Sequence, residues 1–189
     1  MTIRIGITGH RVLARPERIE EAIRQVLVRI VTDCPDNDFE VISALAEGAD
    51  CLFAKIALDQ LHTKLEVRLP LPEVEYQKTF TSPAAWKLSK QLLSLAYKIS
   101  QENTFSRPEI AYLATGKYVL NTCNILVAIW DGNTAQGRGG TGEIAILARR
   151  YDWPMAWIKA GNRLEGTLLP VDMGEQQGMI VYERFPVYR

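Results

Sequence analysis

Short apolar segments alternate along this chain with longer stretches of helical periodicity. Ile3, Ile5 and Ile7 alternate with other residues and predict an opening β-strand. Pro16 then marks a helix start, and Ile19, Ala22, Ile23, Val26, Leu27 and Ile30 recur at helical spacing. Phe39 to Ser43 predicts a second strand, and Ala49, Leu52, Phe53, Ile56 and Ala57 the stripe of a second helix. Leu65 to Leu69 predicts a third strand, stopped by Pro70 and Pro72. Ser82 and Pro83 have the character of an N-cap and first helical residue. The stripe Leu88, Leu92, Leu95, Ala96 and Ile99 carries that helix to Ile99. Ser106 and Glu109 stand at capping-box spacing, which predicts another helix running to about Tyr118.

The run Ile125-Leu126-Val127-Ala128-Ile129-Trp130 does not alternate. A strand apolar on both sides is one covered by helices on both faces, as in a parallel sheet. A helix is expected from about Gly140 to Arg150, then a strand at Met155 to Ile158 and a weaker strand at Met179 to Tyr182. This order predicts an α/β fold: a three-layer, doubly wound, mostly parallel sheet of Rossmann-like type, with residues 1–189 as one domain. In such sheets ligands bind beyond the carboxyl ends of the strands.

Composition narrows the classes. Lys plus Arg is 22 and Asp plus Glu is 22, so the net charge is zero. That argues against a dedicated nucleic-acid binder, which usually carries a basic excess. Hydrophobic content of 47% and charged content of 23% are ordinary for a globular chain. Cys34, Cys51 and Cys123 have no CxxC spacing, and His10 and His62 are far apart, so neither a zinc site nor a disulfide framework is expected. Reduced thiols in a cytoplasmic protein fit better. The start of the chain lacks a signal-peptide pattern, and no apolar run is long enough to span a membrane.

Four polar or glycine-rich segments follow predicted strands. The first is Gly6-Ile7-Thr8-Gly9-His10-Arg11. Gly9 permits a close approach to the backbone, and Arg11 offers a fork of donors to a phosphate or carboxylate. The second is Ser43 to Asp50, where small residues leave room at a helix start and Glu47 and Asp50 suit ribose hydroxyls better than phosphate. These carboxylates could equally just offset the helix dipole. The third runs from Leu69 to Tyr76, whose ring could face a pocket or simply pack. The fourth, Asp131 to Glu143, has glycines at 132, 137, 139, 140 and 142 immediately before a helix. Such a backbone can turn N–H groups toward a phosphate, with Thr141 adding a hydroxyl and Arg138 a cation. It is not Walker A, because no GK[ST] follows.

These segments resemble the SLOG superfamily, the Rossmann-like group that includes the Lonely Guy cytokinin-activating enzymes, often misnamed lysine decarboxylases, and the DNA-processing protein A domain. The matching pieces are Gly6 to Arg11, Ser43 to Asp50, Ala128 to Gly132 and Gly139-Gly140-Thr141-Gly142-Glu143, within residues 3–158. Small bacterial members with GHR, AEGAD and WDG segments are the most alike. The resemblance implies a nucleotide pocket and a homo-oligomer. In Lonely Guy enzymes a PGGxGTxxE segment binds phosphate and supplies a glutamate that, with an arginine, supports N-glycosidic cleavage of nucleoside monophosphates. This chain lacks that proline, and Glu143 falls two residues after Thr141 rather than three.

Two functions follow. In the first, the chain binds a nucleotide-like small molecule without catalysis, as a sensor for example. Gly9, Gly139, Gly140 and Thr141 hold phosphate with Arg11 and Arg138 as cations, Glu47, Asp50 or Asp131 holds ribose, and His10, Ser43 and Gly132 are further ligand-binding candidates. In the second, it is a phosphoribohydrolase in which Glu143 or Glu47 activates water, a nearby carboxylate stabilises positive charge developing on the sugar, and Arg11 assists. Single-stranded DNA handling is a third and weaker alternative, and no cofactor or metal is expected.

Overall fold

The computed structural model describes residues 1–102, 107–134 and 139–185. Among them are seven strands: β1 Thr2–Gly9, β2 Asp38–Ser43, β3 Lys64–Leu69, β4 Lys98–Gln101, β5 Ile125–Trp130, β6 Met155–Lys159 and β7 Ile180–Glu183. The helices are α1 Pro16–Asp33, α2 Ala49–Leu61, α3 Glu73–Gln77, α4 Pro83–Leu95, α5 Pro108–Thr122 and α6 Thr141–Arg150. The strands form one sheet in the order β4-β3-β2-β1-β5-β6-β7, parallel except where β7 runs antiparallel to β6.

The sheet is covered on both faces. Ile3, Ile5 and Ile7 point into one apolar layer, where they meet Ile19, Ile23 and Leu27 of α1 and Phe53 of α2. The β5 run divides between the layers as its lack of alternation predicts. Ile125, Val127 and Ile129 enter the first layer, while Leu126, Ala128 and Trp130 enter the second with Val119 of α5 and Ile144 of α6. This is the expected three-layer α/β architecture.

The chain winds outward from β1 through β2, β3 and β4, then returns to place β5 on the other side of β1. Beyond the carboxyl ends of β1 and β5, the connecting loops leave in opposite directions and open a crevice, the switch point at which such sheets bind ligands.

Two local expectations are corrected. The helix read as reaching Ile99 stops at Leu95, and Lys98–Gln101 is a strand. Tyr97 N–H donates to Leu65 O (3.0 Å), and the ladder then pairs Glu66 with Lys98 and Arg68 with Ser100. Hydrogen bonds offered by β3 outweigh a helical stripe that Leu95 and Ile99 leave exposed. The segment after Pro72 contains a short helix, α3, which no periodicity announced. Helix α4 begins as read, with Ser82 Oγ accepting from Ala85 N–H at 3.1 Å. The capping residue expected at Ser106 lies outside the described residues, and α5 runs on to Thr122. Among the described residues no helix is long and apolar enough to cross a membrane.

Candidate functional site

A cleft of about 910 Å³ opens at the carboxyl ends of β1 and β5. Cavities of this size take small-molecule ligands. Its lining includes Gly9, His10, Arg11, Asp50, Asp131, Gly139, Gly140 and Thr141 from the segments read in the sequence. The fold thus gathers all four strand-end segments on one cavity. The third segment contributes Tyr76.

The β1 end is clamped from both sides. His10 N–H donates to Ile129 O (3.0 Å), and His10 O accepts from Ala49 N–H (3.0 Å). A Cβ on Gly9 would stand 2.3 Å from the Ala49 Cβ, so the group that needs this glycine bare is the start of α2 itself. His10 Nε2 accepts from Asp131 N–H at 3.1 Å. Burial lowers the imidazole below its ordinary value and outweighs the Asp131 carboxylate, 3.4 Å from Nε2. Nε2 is thus the ring nitrogen that accepts from the Asp131 amide. Asp131 Oδ1 also accepts from Asn133 N–H (3.0 Å), which folds the start of the glycine-rich loop back on itself. Gly132 follows Asp131 and packs near the Trp157 ring rather than lining the cleft.

Arg11 reaches across the cleft. Its guanidinium donates to Thr79 O (2.9 Å) and Thr79 Oγ1 (3.3 Å), and to the Tyr112 hydroxyl at 3.4 Å. Burial works against its charge, but Tyr76, Tyr112 and Asp50 outweigh that and keep it cationic.

At the β2 end the backbone turns through Leu45, which takes the left-handed conformation at φ 53°. That conformation is unusual for a leucine and costs about 1 kcal/mol or more. The turn is held by Ser43 Oγ, which accepts from Leu45 N–H (2.9 Å), and by Ser89 Oγ, which donates to Leu45 O (3.0 Å). Ser43 is thus buried under the turn as a brace and does not line the cleft. Asp50 is 5% exposed and accepts from Ala46 N–H at 3.4 Å. Burial pushes its carboxyl up to about 7, against the opposing pull of the Ala46 amide, Arg11, the Ala44 amide and the Ser43 hydroxyl. Glu47 faces elsewhere. Its carboxylate accepts from Thr81 N–H (2.8 Å) and from the Thr81 hydroxyl, bracing the loop on which Arg11 docks.

The glycine-rich loop enters α6 with Gly140 as N-cap and Thr141 as first helical residue. N–H groups of a first helical turn have no partner inside the helix and favour anions. Gly139 has φ 76°, and a Cβ there would stand 2.4 Å from Leu113 N, so the loop lies directly on α5. Gly139 N–H is already taken, donating to Glu143 Oε2 at 2.8 Å. Glu143 is accordingly a loop-closing carboxylate and is not among the residues lining the cleft. Arg138 lies outside the described residues.

Two walls escaped the sequence reading. Helix α5 presents Tyr112, Thr115, Gly116 and Val119 to the cleft, at helical spacing that could have been read had the cleft been known. The stretch after β6 contributes Gly161, Asn162, Arg163, Val171 and Met173. It is pinned by the buried Gln177, whose amide donates to Ala14 O (2.7 Å) and accepts from Gly161 N–H (3.0 Å). No periodic signal marks that stretch. Among the described residues no group of His, Cys, Asp and Glu could hold a metal ion.

Comparison with known proteins adds the fold and little more. No protein-family model matches the chain, and no curated protein matches it at a significant level. Among solved structures, DNA processing protein A (DprA) from Streptococcus pneumoniae matches with a TM-score of 0.54 at 14% identity, over 93% of this chain. The chain spans about half the length of that protein (53%). At so low an identity the likeness is one of fold, and the shared fold is a DprA-like, Rossmann-type α/β sheet.

Proposed function

We propose that the cleft binds a nucleotide or nucleotide-derived small molecule. The observation that carries this is the convergence of an anion-favouring helix start at Gly140–Thr141, a cation at Arg11 and carboxyl groups at Asp50 and Asp131 on one cavity of about 910 Å³. Phosphate would lie against the first turn of α6, with Arg163 as a cation from the facing wall. Ribose hydroxyls would face Asp50 and Asp131, which repel phosphate but accept hydrogen bonds. Homo-oligomerisation in a cytoplasmic setting accompanies this reading.

A hydrolase reading keeps support from one group. Asp50 lines the cleft, and a carboxyl held at about 7 can donate a proton to a departing base near neutral pH. Glu143 offers less support, because its carboxylate already serves Gly139 N–H.

The test uses the full chain with nucleoside monophosphates, diphosphates and triphosphates, ribose 5-phosphate and an oligothymidylate, following thermal shift and free-base release together. Stabilisation by a nucleotide without base release is the expected result; a ligand at 100 times its dissociation constant stabilises by about 2.7 kcal/mol. Base release that Asp50→Asn abolishes would move the assignment to the hydrolase. Tighter binding of the oligothymidylate than of any nucleotide would move it to single-stranded DNA. No shift with any nucleotide at millimolar concentration would overturn the nucleotide reading.

A further inference from the structure

The buried hydroxyls among the described residues divide in two: Ser43 Oγ accepts from Leu45 N–H and Ser89 Oγ donates to Leu45 O, whereas two others, both lining the cleft, have no partner. At less buried positions Tyr97 and Tyr118 donate to Glu40 and Glu66, and Tyr112 accepts from Arg11. Among helical threonines, Thr32 and Thr122 donate back to the carbonyls of Val28 and Tyr118, the usual local solution. Tyr76 and Thr115 do neither. Their hydroxyl oxygens are shielded from solvent and find no hydrogen-bond partner among the described residues. Tyr76 is 0% exposed and Thr115 is 2% exposed. Both belong to the cleft lining, one from α3 and one from α5.

Buried hydroxyls without partners are costly and uncommon, so two in one cavity call for a reason. Neither is loosely held. The Tyr76 ring packs edge-on against Phe80 (5.4 Å between centroids) and tilted against Tyr112 (6.3 Å). Thr115 stands on a regular helix, one turn from Tyr112.

We propose that the Tyr76 and Thr115 hydroxyls are ligand contacts that set specificity in this cleft by pairing with uncharged hydrogen-bonding groups of a nucleotide, either sugar hydroxyls or a base edge. This rests on the nucleotide reading above. Arg11 and Asp50 act on the Tyr76 phenol in opposite directions, so the charges beside it do not by themselves call for an anion. Burial holds the phenol well above its ordinary value, so it remains an O–H that can donate. Phosphate has its own place at the start of α6.

Tyr76→Phe and Thr115→Val in the full chain test this, with AMP, GMP, CMP, UMP and ribose 5-phosphate titrated calorimetrically. Each substitution is expected to weaken the best-bound nucleotide by about tenfold, the value of one hydrogen bond. The melting temperature without ligand is expected to stay level or rise, because no partner is lost. A parallel loss for ribose 5-phosphate identifies a sugar hydroxyl as the contact; a loss confined to nucleotides identifies the base. Nucleotide affinity unchanged in both variants overturns this proposal and leaves the nucleotide reading standing. A clear fall in melting temperature without ligand also overturns it, since the hydroxyls would then have partners within the chain. If the unsubstituted protein binds no nucleotide, both fall together.

Discussion

Two of the buried carboxyl groups, Glu66 on the sheet and Asp50 at a helix start, have opposite fates. Glu66, on β3, is 0% exposed. Arg4 and Lys98 pair with it, the latter at 2.9 Å, and the Tyr118 hydroxyl donates to it. Burial alone would raise this carboxyl, but Tyr118, Lys98 and Arg4 together lower it below its ordinary value. Asp50, at the start of α2, is buried to a similar degree but is pushed up to about 7. Its neighbourhood holds Arg11, committed to Thr79 and Tyr112, and the Tyr76 hydroxyl, which has no partner among the described residues. A carboxylate saturated with donors fixes a structure. One that among the described residues has no cation in direct contact, at the wall of a cavity, stays available to a ligand, and that contrast separates the braced half of the sheet from the candidate site.

The largest expected effect comes from the saturated group. Glu66→Ala removes the shared partner of Arg4, Lys98 and Tyr118 and should cost about 3–5 kcal/mol in urea unfolding. A cost under about 1 kcal/mol would mean that the cluster is solvated and that the contrast with Asp50 fails.

Asp50 predicts a pH dependence of definite sign. Its carboxyl is raised in the fold from 3.8 to about 7, so the native state binds more protons across that window. Stability from this group is fully present below about pH 4 and is lost as pH rises through about 7. Asp50→Asn should flatten that fall, gaining about 2–4 kcal/mol over the parent at pH 8 relative to pH 4. Urea unfolding of both proteins at the two pH values measures it, and the comparison cancels the contribution of His10. Equal slopes would show that Asp50 is ionised throughout.

The smallest effect is expected at Glu47. Glu47→Ala should change stability by about 1 kcal/mol or less, because its Thr81 contacts are exposed. Nucleotide affinity should move less than about threefold, since the carboxylate braces the Arg11 loop from outside the cleft. A loss of a hundredfold would place Glu47 in direct contact with ligand.

Much of the fold was legible because its signals are local. The helix start at Pro16, the Ser82 cap and the two-sided β5 run all follow from spacing within a few residues. Lys98–Gln101 was not legible, because its strand state comes from a ladder offered by β3, about thirty positions away by sequence number. In the site, Gly9, His10, Arg11, Asp50, Asp131 and the Gly139–Thr141 loop were legible as polar or glycine-rich strand ends. Ser43, Glu47 and Glu143 carry the same sequence signature but turn to braces, on Leu45, Thr81 and Gly139. Nothing local distinguishes the two groups. Tyr76 and Thr115 were illegible as orphans, because lacking a partner is a property of everything around a side chain.

The sequence by itself determined the alternation of strands and helices, the burial of β5 on both faces, and the placing of polar chemistry after the strands. Period and turn residues act over one element, and the chain cannot hide them. Only the tertiary structure decided which of those polar groups share a cavity. It also decided that Glu66 is ionised while Asp50 titrates near neutrality, and that the stretch after β6 closes one wall through the Gln177 amide, 163 positions from its Ala14 acceptor. Desolvation and hydrogen-bond partners are set by neighbours in space, so charge state and exposure to ligand exist only once the sheet has assembled.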